Sequence, residues 1–185
     1  MMRGLIVLGV LAASIGAASA QCVKPEEAAA LTGKQAFTQT RTLKGLSKPL
    51  VSEGDVEAVG DTVIWRVAKP VSIVTKVSPK GITQSVEGGP DEAVGPAGGA
   101  SNPFMTETGL GDLLRGDLST MESRYTVDRS KRSKPEGWSL NMKPKAKSLS
   151  PYIASIVAEG CKRVESITVA QPNGDKIRID LKASN

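Results

Sequence analysis

The sequence contains no histidine, and this absence removes several kinds of chemistry. Histidine is the usual general base, a member of most nucleophilic triads and a common zinc ligand. A hydrolase built on a histidine triad and a histidine-rich zinc site are therefore excluded by composition. We expect neither a metal site nor a cofactor.

Paired carboxylates, the other common arrangement for acid–base catalysis, are also few. Glu53 and Asp55 lie two positions apart on a predicted strand and would face the same way, as catalytic acids of glycosidases do. Such a pair near a turn is more often a solvated part of one sheet face. The sequence gives no positive support for catalysis, and we predict that the chain is not an enzyme.

Long apolar runs are missing as well. Residues 4–18 form an uncharged run that is too short to span a bilayer, which takes about 20 apolar residues. The run follows a basic start at Arg3 and precedes the small-x-small triplet Ala18-Ser19-Ala20, a pattern typical of a cleavable signal peptide. We predict a signal peptide over residues 1–20, export to the periplasm and a soluble mature domain over residues 21–185.

Cysteine occurs only at positions 22 and 161. An even count in an exported protein favours a disulfide, and closing a loop of ~140 residues would contribute ~4–5 kcal/mol in the chain-entropy model. The alternative is that Cys22 carries a lipid. Gln21 argues against that alternative, because lipidation sites have a small residue at this position. We predict a disulfide between Cys22 and Cys161.

The net charge is modest, with 24 basic and 19 acidic residues and a formal value of +5. One basic run, at residues 129–134, precedes Pro135-Glu136-Gly137, which favours a solvated hairpin tip. Contact with anionic lipid is the alternative. Exported proteins rarely meet nucleic acid, so we expect no nucleic-acid partner.

Strand patterns dominate after a short predicted helix that starts at Pro25 and ends at Gly33. Val63, Trp65 and Val67 alternate with polar neighbours, and Pro172-Asn173-Gly174-Asp175 is typical of a hairpin. Predicted strands occupy residues 34–44, 50–59, 62–68, 71–77, 82–87, 122–128, 138–142, 152–157, 162–169 and 176–181. They indicate a mainly β fold with one curved antiparallel sheet of about ten strands.

The middle of the chain differs from the rest. Residues 88–103 are rich in glycine and proline and lack periodicity, which indicates a mobile loop; a phosphate-binding loop would need a following Gly-Lys-Ser/Thr. Residues 104–121 predict one or two short helices, weakened by ~1 kcal/mol at each internal glycine. Because the apolar face of a sheet must be covered, these helices and the loop would cover it incompletely.

Several landmarks follow one another in a recognisable order. Phe37-x-Gln39-x-Arg41 lies on the first strand, Leu50-x-Ser52-x-Gly54 on the second, and Trp65 and Pro70 follow. Asn102-Pro103-Phe104-Met105 opens the helical segment, and Gly174-Asp175 lies in the last hairpin. Together these landmarks span nearly the whole mature chain and resemble the outer-membrane lipoprotein carrier (LolA) family.

The resemblance implies an incomplete antiparallel β-barrel, or half-barrel, that is closed by a helical lid. Its apolar cavity would accept the acyl chains of a lipoprotein from an inner-membrane transporter and deliver them to an outer-membrane acceptor. We expect a monomer. The cavity would be lined by Phe37, Val63, Trp65, Val67 and Ile73, and the lid by Phe104, Leu110, Leu113 and Leu114.

The sequence also departs from the family pattern. The best-known carriers have an arginine that helps to latch the lid where this chain reads Glu57-Ala58-Val59-Gly60-Asp61. A divergent member with another cargo, such as a glycolipid or a lipid-tailed pigment, therefore stays open. Two other functions remain as alternatives. One is a lipoprotein or lipid sensor with a regulatory partner, and the other, which is less favoured, is a periplasmic hydrolase.

Overall fold

The structure, a computed structural model, describes residues 21–94 and 109–182. The predicted signal peptide, residues 95–103 of the predicted loop and Phe104 lie outside the described residues. The described chain forms one antiparallel sheet of eleven strands and two short α-helices. The predicted mainly β fold with an open antiparallel sheet is confirmed, with eleven strands in place of about ten.

The strands follow the chain in two halves that meet in the middle of the sheet. The strands are β1 (Lys34–Thr42), β2 (Leu50–Val59), β3 (Thr62–Lys69), β4 (Ile73–Ser78), β5 (Gly81–Val86), β6 (Glu92–Val94), β7 (Tyr125–Ser133), β8 (Glu136–Pro144), β9 (Ser155–Gly160), β10 (Val164–Ala170) and β11 (Lys176–Leu181). Their order is β6-β5-β4-β3-β2-β1-β11-β10-β9-β8-β7, so β6 and β7 are the two edges. The sheet is open because the edges do not pair with each other.

Two short α-helices precede β7 in the described part of the chain. Helix α1 (Leu110–Leu114) is capped by Arg115 and followed by Gly116, whose φ of 75° is the left-handed conformation that glycine adopts readily after a helix. Helix α2 (Leu118–Arg124) begins after Asp117, whose side chain accepts a hydrogen bond from the backbone N–H of Thr120 at 3.0 Å. The pKa of the Asp117 carboxyl is lowered to about 2, mainly by hydrogen bonds from the side chain and backbone of Thr120. A hydrogen bond from the Ser119 side chain adds to this effect.

One face of the sheet, which we call the inner face, holds the core. Phe37, Val63 and Trp65 lie on this face and are at most 3% exposed. The leucines of α1 and α2 belong to the same buried cluster, so these two helices lie over the inner face. The opposite, outer face carries charged pairs such as Arg66 with Asp55, at 2.8 Å.

Local predictions failed where tertiary contacts decide the conformation. The predicted helix from Pro25 to Gly33 is only a 3₁₀ helix (Pro25–Glu27), because the N–H of Ala29 donates to the carbonyl of Lys162, 2.8 Å away. The predicted loop contains β6, and residues 122–124 end α2 instead of starting a strand. Most of the basic run lies in edge strand β7 rather than at a hairpin tip.

Candidate binding groove

One half of the inner face is filled by the protein's own side chains. Leu110, Leu113 and Leu114 of α1 are at most 3% exposed and belong to the same buried cluster as Phe37. The backbone of α1 lies close to β3, because a Cβ at Gly111 would lie 3.5 Å from Cγ2 of Val63. The space beneath α1 is therefore packed core in this conformation.

The other half of the inner face is an open groove. It has a volume of about 440 Å³, and its lining residues come from β1 to β5 and from the segments that precede β2 and β4. Trp65, Val67 and Ile73 form part of its surface, and Leu50 and Val71 also line it. Leu50 is 50% exposed and Val71 is 42% exposed, so apolar surface that could be covered by a ligand faces solvent here.

An aromatic pair links the packed half and the groove. The ring centroids of Phe37 and Trp65 lie 4.2 Å apart, with a tilt of 32° between the ring planes. Phe37 is fully buried, whereas Trp65 belongs to the core and also lines the groove. These rings give the groove an inner end that is apolar and well packed.

Polar side chains line one part of the groove. The side-chain amide of Gln84 donates to Oγ1 of Thr75 at 3.1 Å, and Gln39 and Ser52 are also neutral. Arg41 is the charged residue among the described lining residues. Its Nε is buried and has no hydrogen-bond partner in the described part of the chain. The groove thus combines an extended apolar surface with one guanidinium group.

The predicted site residues fall into two groups. Trp65, Val67 and Ile73 line the groove, whereas Phe37 and Val63 lie in the packed core. The α1 residues predicted for the lid cover that core: Leu110, Leu113 and Leu114. Arg41 also lines the groove, although it was not among the predicted site residues. The pattern Phe37-x-Gln39-x-Arg41 could have identified it, because alternate residues of a strand share one face.

The predicted disulfide between Cys22 and Cys161 is present, with 4.5 Å between the two Cα atoms. It joins the N-terminal segment to the turn between β9 and β10, next to Trp138, whose indole N–H donates to the carbonyl of Cys161 at 2.9 Å. Because the sulfur of Cys22 is used in this bond, it is not free to carry a lipid. Such a bond is typical of proteins that fold outside the reducing cytoplasm.

The other polar features that the sequence singled out lie away from the groove. Glu53 and Asp55 are on the outer face, where Asp55 is paired with Arg66. In the basic run, Arg129 contacts Glu26 at 2.6 Å and lowers the pKa of that carboxyl by hydrogen bonding. Residues 21–94 and 109–182 contain no group of three potential metal-ligating side chains of His, Cys, Asp or Glu.

Two further depressions have charged linings. One, of about 340 Å³, lies beside Asp112, Arg115 and Arg124, and the first two of these residues form an ion pair. The other, of about 580 Å³, lies beside the disulfide and includes Glu26 and Arg129. Charged linings suit an acyl chain poorly, so the groove is the better candidate for an apolar ligand.

Fold and groove together define an open antiparallel β-sheet protein with a solvent-accessible apolar groove on its inner face. None of the helices in the two described ranges has the length and hydropathy of a membrane-spanning segment. No protein-family model matches the sequence. A search of curated proteins gives no match either.

Solved structures give a distant similarity. A LolA superfamily protein from Nitrosomonas europaea is 8% identical, with 86% of this chain and 88% of that chain covered and a TM-score of 0.43. A DUF1329 family protein from Desulfovibrio piger is 11% identical, with 80% and 82% covered and a TM-score of 0.40. An outer membrane lipoprotein-sorting protein domain from Vibrio parahaemolyticus is 11% identical, with 82% and 84% covered and a TM-score of 0.40.

Proposed function

We propose that the protein is a carrier that binds the acyl chain of a lipoprotein or of another lipid-linked molecule. The single observation that carries the proposal is the open apolar groove beside Trp65, Val67 and Ile73. An exposed apolar surface of this kind is typical of a site that a ligand covers during function. A linear hydrocarbon chain fits a groove that runs across several strands.

The energetics of apolar transfer are sufficient for such a carrier. Each methylene removed from water contributes ~0.8 kcal/mol, so a long chain binds without any polar contact. The groove volume of about 440 Å³ lies within the range of roughly 300–1,000 Å³ that small-molecule sites occupy. Release then requires an acceptor that offers the chain an equally apolar environment, or a change that closes the groove.

Helices α1 and α2 would act as a movable lid over the inner face. They have five and seven residues, and helices of this length depend on tertiary packing for their stability. If α1 moved away, the surface that Leu110, Leu113 and Leu114 now cover would extend the groove toward Phe37 and Val63. Phe104 would belong to the same lid. This arrangement would let the cavity change size with its cargo.

The carrier would work in the periplasm after removal of residues 1–20, and the disulfide supports an oxidising compartment. Its cargo would come from an inner-membrane transporter and pass to an outer-membrane acceptor. A monomer suits this role, because the groove of a single chain must be accessible to each partner in turn. No cofactor or metal is needed for binding and release of an acyl chain.

A charge inside the groove tests the proposal. Val67→Glu should reduce the affinity for a fluorescent fatty acid at least 10-fold, because hydrocarbon contact would be replaced by a carboxylate that resists desolvation. Val74→Glu is the matched control, since Val74 lies on the neighbouring strand with its side chain on the outer face. Titration by fluorescence measures both affinities, and circular dichroism checks that both variants are folded.

Equal affinities for the two variants, or no binding by the unaltered protein, would contradict the carrier proposal. Native mass spectrometry of the loaded protein adds a second readout. A carrier returns the lipid with unchanged mass after incubation, whereas a hydrolase would release fragments.

A further inference from the structure

The position of Arg41 says more about the ligand than the apolar lining does. Arg41 lies on β1, where it is paired with Leu50 of β2 on one side and with Ile177 of β11 on the other. Its side chain lines the groove and is half-buried. A cation therefore sits among apolar neighbours, on the face that would hold the acyl chain.

The guanidinium group of Arg41 lacks an acidic partner in the described residues. Other arginines of the sheet are paired, with nitrogen–oxygen distances of 2.8 Å for Arg66 and Asp55 and 2.7 Å for Arg178 and Asp180. No carboxylate of the described chain lies within 4.0 Å of Arg41, and its Nε is buried without a hydrogen-bond partner. A partly desolvated charge of this kind is costly to the folded state unless a ligand pairs with it.

Nearby groups do not neutralise this charge. The described lining of the groove contains no acidic side chain, and Gln39, Ser52 and Gln84 are neutral. Asp175, in the turn that precedes β11, accepts a hydrogen bond from the backbone N–H of Lys44 at 2.8 Å and another from Asn173 at 2.9 Å. Among the described lining residues, the charge of the groove is therefore positive and comes from Arg41.

We propose that the groove selects amphiphiles with an anionic head group, which the guanidinium of Arg41 binds while the hydrocarbon tail lies along Trp65, Val67 and Ile73. This inference rests on the carrier function proposed above and adds the chemical class of the ligand. A guanidinium donates several hydrogen bonds in a planar fork that matches a carboxylate or a phosphate. The shared chemistry is a single anionic group at the end of an alkyl chain.

Three probes of equal chain length test the head-group preference: dodecanoate, dodecyl phosphate and dodecanol. Displacement of an uncharged fluorescent dye, N-phenyl-1-naphthylamine, measures each affinity. The unaltered protein should bind the anionic probes about 10- to 100-fold more tightly than dodecanol, the usual advantage of a charge-assisted hydrogen bond. Tighter binding of dodecanoate supports a fatty-acid-like cargo, and tighter binding of dodecyl phosphate supports a phospholipid-like one.

Substitution of the cation assigns the preference to Arg41. Arg41→Gln should remove the preference, so that the anionic probes bind no more tightly than dodecanol, and Arg41→Lys should keep part of the preference because it keeps the charge. Arg178→Gln is the matched control, since Arg178 lies on the neighbouring strand β11 on the outer face, opposite Thr40. This control should behave like the unaltered protein.

Four results would overturn the inference. Equal affinities of the unaltered protein for dodecanol and for the anionic probes would do so while leaving the carrier proposal intact. Persistence of the preference in Arg41→Gln would show that another group binds the head. Binding of inorganic phosphate alone as tightly as dodecyl phosphate would show a plain anion site without a tail. No binding of any probe would overturn both the inference and the proposed function.

Discussion

At the scale of single residues, Gly54 shows how closely the first strands approach each other. It lies on β2 at a change of register with β3, and a Cβ built at this position would lie 1.8 Å from the carbonyl oxygen of Arg66. No side chain fits that distance. The glycine is therefore required by the backbone of the neighbouring strand, at the part of the sheet that lines the groove.

Gly54→Ala should destabilise the protein by at least ~1–3 kcal/mol, because β2 and β3 must separate to admit the methyl group. Chemical denaturation measures the change in the free energy of unfolding. Gly111→Ala is the control, since a Cβ there meets its nearest neighbours at 3.4 Å and 3.5 Å and lies in a helix that favours alanine. An unfolding midpoint of Gly54→Ala that equals that of the unaltered protein would contradict this account.

Residue-level patterns predicted the candidate site in part. Alternation on β3 predicted that Val63, Trp65 and Val67 share one face. In the structure Val63 and Trp65 belong to the buried core and Val67 packs against it. The same alternation on β1 put Arg41 on the face of Phe37. Whether its charge had a partner could not be read from the sequence, because acidic residues from distant strands could have supplied one.

At the scale of elements, helix α1 is short and has few local interactions of its own. Helix α1 has five residues, and its tie to the N-terminal segment is a hydrogen bond from the N–H of Leu31 to the carbonyl of Leu114, at 2.8 Å. Its stability comes mainly from the burial of three leucines on the inner face. An element of this kind can open while the sheet remains folded.

Leu113→Glu should release α1 from the sheet, because a carboxylate does not stay at a position that is 2% exposed. Hydrogen–deuterium exchange should then show lost protection in α1 and α2 with retained protection in β8 to β10. Leu113→Met, which conserves volume, should keep the protection of the unaltered protein. Cooperative loss of protection throughout the sheet would contradict the assignment of α1 as a lid.

The prediction of elements succeeded where side-chain patterns are local and failed where distant contacts decide. The second and last strands were predicted with the bounds that the structure has, because alternation and turn residues mark both ends. Strand β6 was missed because its three residues carry no periodicity; among the described residues it pairs with β5. The length of the N-terminal helix was overestimated because Ala29 pairs with the distant Arg163.

At the scale of the whole molecule, the sheet order explains why a groove exists. The first and last strands pair in the middle of the sheet, and the disulfide ties the N-terminal segment to the β9–β10 turn. Helices α1 and α2 share a buried cluster with Phe37, Val56 and Val63 on the inner face, whereas the part of that face beside Arg41, Leu50 and Val67 is left open. The sequence predicted this incomplete cover from the shortness of the helical segment. It could not predict which half would be filled, because that depends on the path of the connection.

The most direct test of the central claim is photochemical crosslinking with a fatty acid that carries a diazirine at the end of its chain. After irradiation of the folded, disulfide-bonded protein, peptide mass spectrometry locates the attached label. The account predicts labels on the side chains that line the groove, in β2, β3 and β4, and their loss when excess unlabelled fatty acid is present. Labels confined to the outer face, or spread evenly over both faces, would contradict it.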